Sequence, residues 1–127
     1  MTETVLDASA LLALLGDEPG ASEVAGALPS AVVSAVNLSE VVAKLADTGM
    51  SKSTITEALD ELGLEVAPFD AEQAQAAGFL RPATHAAGLG LGDRACLALA
   101  ERVGVPALTA DRRWTELRLS AAVRAIR

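Results

Sequence analysis

The run Thr4-Val5-Leu6-Asp7-Ala8-Ser9-Ala10-Leu11-Leu12-Ala13-Leu14-Leu15 changes period once, and its only carboxylate falls at the change. Up to Leu6 the chain reads as a short apolar strand. From Ala8 it continues as a buried helix would. A lone carboxylate in such a run is costly to bury unless something compensates it. Asp7 is therefore expected to end the first strand of a parallel sheet and to point into a crevice, with a divalent metal ion as its compensating partner.

The rest of the chain repeats the alternation. Strand patterns lie at 2–7, 31–36, 64–67 and 105–109, with a last edge strand at 123–126. Helical patterns cover 8–16, 21–28, 37–48, 51–62, 70–80 and 94–103, and 111–117 reads as a turn or short helix. Gly16, Pro29, Gly49, Gly63, Pro68, Pro82 and Gly104 punctuate them, and 84–92 reads as a glycine-rich loop. Strands alternating with helices imply right-handed crossovers and a parallel sheet with helices on both faces. A chain of 127 residues, 51 % hydrophobic and 21 % charged, is expected to form one globular domain with its own core. One Trp, two Phe and no Tyr leave that core to Ala, Leu and Val.

No apolar run approaches the ~20 residues that cross a bilayer. No basic segment precedes the first apolar run, so no signal peptide is expected. The one cysteine, Cys96, falls in a helical pattern and reads as core. Together these features favour a cytoplasmic location. The net charge of −7 is unevenly spread. Up to residue 80 there are two bases (Lys44, Lys52) against thirteen acids; beyond it, eight arginines against four acids. Such asymmetry suits an anionic partner on one face, and equally a solvated charged surface.

Four acids map to the carboxyl ends of the strands, where ligands bind in open parallel sheets. Asp7 follows the first strand, Glu40 lies just after the second, Asp93 opens the helix after the glycine-rich loop, and Asp111 follows the fourth strand. Singly, each has a capping explanation: Asp7, Asp93 and Asp111 as helix N-caps, Asn37 and Glu40 as a capping box. Jointly they would crowd one crevice and raise one another's pKa values unless a cation intervened. With oxygen donors only, the set suits Mg²⁺ or Mn²⁺. Acids around such an ion, beside helix N-termini that attract phosphate, suit metal-assisted phosphodiester hydrolysis.

The segments Val5-Leu6-Asp7-Ala8-Ser9-Ala10, Asn37-Leu38-Ser39-Glu40-Val41, Leu89-Gly90-Leu91-Gly92-Asp93-Arg94-Ala95-Cys96-Leu97-Ala98-Leu99-Ala100 and Leu108-Thr109-Ala110-Asp111-Arg112-Arg113-Trp114 occur in that order. This ordered set resembles the PIN-domain ribonucleases, specifically the VapC-type toxins of bacterial toxin–antitoxin pairs, over almost the whole chain. The resemblance implies a three-layer α/β/α domain spanning 1–127 with a four- or five-stranded parallel sheet. It implies metal-binding and catalytic acids at Asp7, Glu40, Asp93 and Asp111, with Ser9 and Thr109 as supporting hydroxyls. It implies endoribonuclease cleavage of RNA with Mg²⁺ or Mn²⁺, a homodimer, and a small VapB-like antitoxin that masks the active-site groove. Many members carry a further acid two residues after the last aspartate; here Arg113 stands there.

Arg94, Arg112 and Arg113 lie beside the site acids and could grip RNA phosphates or neutralise those acids. Trp114 reads as core more readily than as a base-stacking platform, and His85 as a loop residue more readily than as a general base. Gly88, Gly90 and Gly92 read as flexibility ahead of Asp93, because the lysine of a P-loop is missing. Ala43, Leu45 and Ala46 suit either core or a dimer partner. A PIN-like module that binds RNA or a protein without cutting is the main alternative. A phosphoacceptor receiver domain fits poorly: it needs an early acid pair and a late lysine, and no lysine follows Lys52.

Overall fold

A computed structural model describes all 127 residues. The elements run β1 (Thr4–Leu6), α1 (Ala8–Leu15), α2 (Ala21–Ala27), β2 (Ala31–Ser34), α3 (Ala35–Asp47), α4 (Lys52–Leu62), β3 (Glu65–Ala67), α5 (Ala71–Phe79), α6 (Arg81–Thr84), α7 (Leu91–Val103), β4 (Ala107–Thr109) and β5 (Val123–Ala125). Short 3-10 turns at Leu28–Ser30 and Arg112–Glu116 complete the chain. All five strands are parallel, in the order β3-β2-β1-β4-β5. The chain winds outward from β1 to β3, then returns to the other side of β1 for β4. The switch point lies between β1 and β4.

Strand alternation divides the core between two faces. Val5, Val32 and Ala107 pack with Cys96, Leu97, Leu99, Ala100 and Trp114 under α7. Leu6, Val33 and Leu108 pack with Ala10, Leu11, Val24 and Val41 under α1, α2 and α3. The result is the three-layer α/β/α architecture. Trp114 is fully buried and Cys96 lies wholly in the core, where burial pushes its thiol well up and leaves it inert. No helix is long and apolar enough to cross a membrane.

Local chemistry explains where elements begin and end. Asp7, Ser51 and Asp70 each accept a backbone N–H from the first turn of the helix that follows. Gly63 and Gly104 end helices in the left-handed conformation. Gly20 adopts φ +95° with Ile126 packed where a Cβ would stand, 2.7 Å away, so glycine alone fits that turn.

Three of the boundaries that differ from expectation have a local cause. The second strand stops at Ser34 rather than Val36, because the Ser34 hydroxyl accepts the Val36 N–H and starts α3 there. Asn37 is consequently inside the helix, not its cap. The segment 81–84 is a helical turn with Pro82 near its start, where a missing N–H costs nothing. The helix carrying Asp93 begins at Leu91 rather than Arg94, so Asp93 sits in its first turn.

Candidate functional site

A cleft of about 490 Å³ opens at the carboxyl edge of the sheet, beside the switch point, and all four expected acids line it: Asp7, Glu40, Asp93 and Asp111. Ala8, Ser9, Leu12, Ala43, Lys44 and Asp47 complete its wall. No three of the acids close on a common point as a finished cage.

Asp7 is the buried member, 4 % exposed. Three groups tie it down. The Ser9 hydroxyl donates to its carboxylate at 2.7 Å, the Ala10 N–H donates to Oδ1 at 2.8 Å, and Thr109 Oγ1 donates to Oδ2 at 2.6 Å. The Asp111 N–H in turn donates to Thr109 Oγ1, and the Ala110 N–H to Ser9 Oγ. The expected hydroxyls, Ser9 and Thr109, thus stitch β1 to β4 through Asp7. Burial nevertheless pushes the Asp7 carboxyl from 3.8 up to about 6, against those hydrogen bonds, and the Asp93 charge adds to the rise.

Asp93 is half-buried. Its Oδ2 accepts the Gly90 N–H at 3.0 Å, the reverse half of a capping box, so it stands in the first turn rather than at the N-cap. Burial raises its pKa, and the charge of Asp111 pushes the same way.

Glu40 is exposed on α3 but not free. Asn37 Nδ2 donates to Glu40 Oε1 at 2.8 Å and to the Gly92 carbonyl at 2.9 Å, pinning α3 to the start of α7. Only hydrogen fits at Gly92 while Glu40 keeps this position, because a Cβ there would overlap the Glu40 carboxylate. Gly92 is therefore a close-approach glycine rather than a source of flexibility. Gly88, with φ +74°, keeps the conformational role.

Asp111 caps the 3-10 turn and is held by Arg113. Arg113 Nη2 lies 2.6 Å from Oδ2, and its Nε and N–H each donate to Oδ1 at 3.0 Å. Those hydrogen bonds hold the Asp111 carboxyl below its ordinary range. Arg94 and Arg112 make their hydrogen bonds away from the acids, although the Arg94 charge acts on Asp93 through space. Arg94 Nη1 donates to the Ala77 carbonyl of α5, and Arg112 Nη1 to the Arg127 carbonyl. His85 is exposed and lies outside the cleft wall. Lys44 and Asp47 in that wall carried no signal beyond the helical spacing that sets them one and two turns after Glu40.

Divalent cations are a reasonable fit to this donor set. Every candidate ligand is a carboxylate oxygen, the hard type that Mg²⁺ and Mn²⁺ prefer, and the buried Asp7 has no positive partner.

The PIN domain family model matches residues 4–119. No curated protein sequence matches the chain. Several solved structures share the fold. One is a DNA-bound VapBC from Salmonella typhimurium, with TM-score 0.77, 18 % identity and full coverage of both chains. A second is VapBC2 from Rickettsia felis bound to a promoter DNA fragment, with TM-score 0.73, 16 % identity and 98 % of each chain. A third is a VapBC-family toxin–antitoxin system from Mycobacterium tuberculosis, with TM-score 0.60, 22 % identity, 100 % of this chain and 99 % of that one. With the switch-point cleft and its four acids on the fold, and the family model spanning nearly the whole length, the chain belongs to the PIN-domain family.

Proposed function

We propose that the chain is a single PIN domain over 1–127 acting as a Mg²⁺- or Mn²⁺-dependent endoribonuclease, the VapC-type toxin of a toxin–antitoxin pair working in the cytoplasm. The observation that carries this reading is the cleft itself: a buried carboxylate, Asp7, raised to about 6 and flanked by Asp93 and Glu40, with none of the three in an ion pair. Asp7 and Asp93 would hold the ion, with Glu40 and Asp111 at its margin. When bound, a divalent cation supplies Lewis-acid stabilisation of phosphate charge and lowers the pKa of water.

The chain's own residues do the rest. Ser9 and Thr109 keep both Asp7 oxygens ionised and oriented. Asn37 occupies one oxygen of Glu40 and leaves Oε2 to take a proton from the attacking water. Lys44, in the cleft wall, supplies a positive charge for a phosphate of the bound strand. RNA as substrate and homodimerisation rest on the motif resemblance. A small VapB-like antitoxin as partner rests on it too, with support from structural relatives that are themselves VapBC assemblies.

One observation favours the non-cutting alternative: Asp111 is already paired with Arg113, and no three acids converge. The deciding experiment is incubation of the purified protein with single-stranded RNA and Mn²⁺. Cleavage that Asp7→Asn and Asp93→Asn abolish supports the nuclease. Mn²⁺-independent RNA retention without cleavage supports the binding module.

A further inference from the structure

Of the four cleft acids, only Asp111 has a side-chain cation of its own. The chain has two ion pairs; one joins Arg127 to Glu18, neither of which lines the cleft, and the other is Arg113–Asp111. The second is clamped at both ends. On one side Arg113 Nε and Nη2 take both oxygens of Asp111. On the other, Nη1 donates at 2.8 Å to the Ala87 carbonyl, in the loop that leads to α7. The guanidinium is therefore fixed relative to both the end of β4 and the start of the Asp93 helix.

A guanidinium carries five N–H donors. Here Nε–H and one hydrogen on Nη2 go to Asp111, and one on Nη1 goes to Ala87. One N–H on each terminal nitrogen stays unused, on a side chain that is 60 % exposed. An exposed pair of this kind adds little to stability. Its effect is on the charge of the cleft: Asp111 is ion-paired, while Asp7 and Glu40 are not and Asp93 feels Arg113 and Arg94 only through space.

We propose that Arg113 is the built-in counter-ion of Asp111, so that the cleft takes a single divalent cation, and that its two unused N–H donors hydrogen-bond a phosphate of the bound strand. Planar, always charged and held by two anchors, a guanidinium suits that role better than a lysine would. This inference rests on the metal-dependent reading above.

Titration calorimetry with Mn²⁺ near neutral pH tests it, on the unaltered protein and on Arg113→Gln, the double variant Asp111→Asn with Arg113→Gln, and Asp7→Asn, each checked for folding by circular dichroism. The unaltered protein should take one equivalent. The double variant, with the pair's charges both removed, should bind it within about twofold of the same affinity, Asp7→Asn should lose it by at least about tenfold, and Arg113→Gln alone should gain a second equivalent. Two equivalents in the unaltered protein, a tenfold loss in the double variant, or a single equivalent in Arg113→Gln would each overturn the inference while leaving the nuclease reading standing. Absence of any Mn²⁺ binding by the unaltered protein would overturn both.

Discussion

Thr109 Oγ1, at the end of β4, donates a 2.6 Å hydrogen bond to Oδ2 of Asp7, at the end of β1, across a sequence separation of 102 residues. The bond crosses the switch point, so the hydroxyl that supports the buried acid also ties the two central strands together at their carboxyl ends. A buried carboxylate that loses a donor keeps its desolvation penalty without the compensation. Thr109→Val preserves the shape and removes the donor. It should destabilise the protein by about 1–3 kcal/mol near pH 7.5, and Thr109→Ser should recover most of the loss. Chemical denaturation of the three proteins measures this.

The raised pKa of Asp7 predicts an unusual pH dependence. Its carboxyl sits near 6 in the fold against an ordinary value of 3.8. The native state therefore prefers the proton more than the unfolded chain does. The stability this group offers is complete below its unfolded pKa and is lost as pH rises through about 6. Asp93 is shifted in the same direction. The metal-free protein should be more stable at about pH 5 than at about pH 7.5, by roughly 1 kcal/mol from Asp7 alone. Asp7→Asn should flatten the slope. Thermal melts across that range, in chelator, check both points.

Divalent cation should reverse that trend. An ion that binds the folded protein alone raises its apparent stability by mass action. Mn²⁺ should therefore raise the melting temperature more at about pH 7.5, where Asp7 is ionised, than at about pH 5, with chelator returning it to the metal-free value. An equal increment at the two pH values would count against Asp7 as a ligand.

Gly92→Ala separates site geometry from stability. The added methyl meets the Glu40 carboxylate, the far end of a flexible and exposed side chain, so Glu40 can swing aside. Replacing a helical glycine with alanine gains about 0.8–1 kcal/mol of intrinsic propensity. Stability should stay within about 1 kcal/mol of the unaltered protein, while RNA cleavage falls at least about tenfold, because Glu40 leaves the position Asn37 holds. Paired denaturation and cleavage assays measure the split.

Lys44→Gln addresses the substrate side. A lysine that meets a phosphate weakens binding without sequence preference when it is removed, and it lowers the salt dependence of binding by about one ion. RNA affinity should drop about three- to tenfold at low salt with no change in melting temperature. Fluorescence anisotropy over a salt series reads both quantities.

Much of this was legible in the sequence for a simple physical reason. The switch from strand period to helical period at Asp7, and the stop residues between elements, are local signals, and a parallel sheet sends every strand end to one edge. That alone brings Asp7, Glu40, Asp93 and Asp111 to one edge. Helix starts were less legible. Ala35 and Val36 look like strand, and only the Ser34 hydroxyl turning onto the Val36 N–H ends it. Contacts between distant segments were not legible at all. Gly92 looks like a hinge until Glu40 is found packed against it. Arg94, Arg112 and Arg113 look alike beside the acids, yet only Arg113 turns to one of them, and Ala87, which anchors its other end, gives no signal in sequence.

The most direct measurement is Mn²⁺-dependent cleavage of a single-stranded RNA by the unaltered protein beside Asp7→Asn, both shown to be folded. The account predicts cutting that requires the metal, stops on chelation, and falls by at least about a thousandfold in the variant. Undiminished cleavage by a folded Asp7→Asn protein free of other nucleases would contradict it.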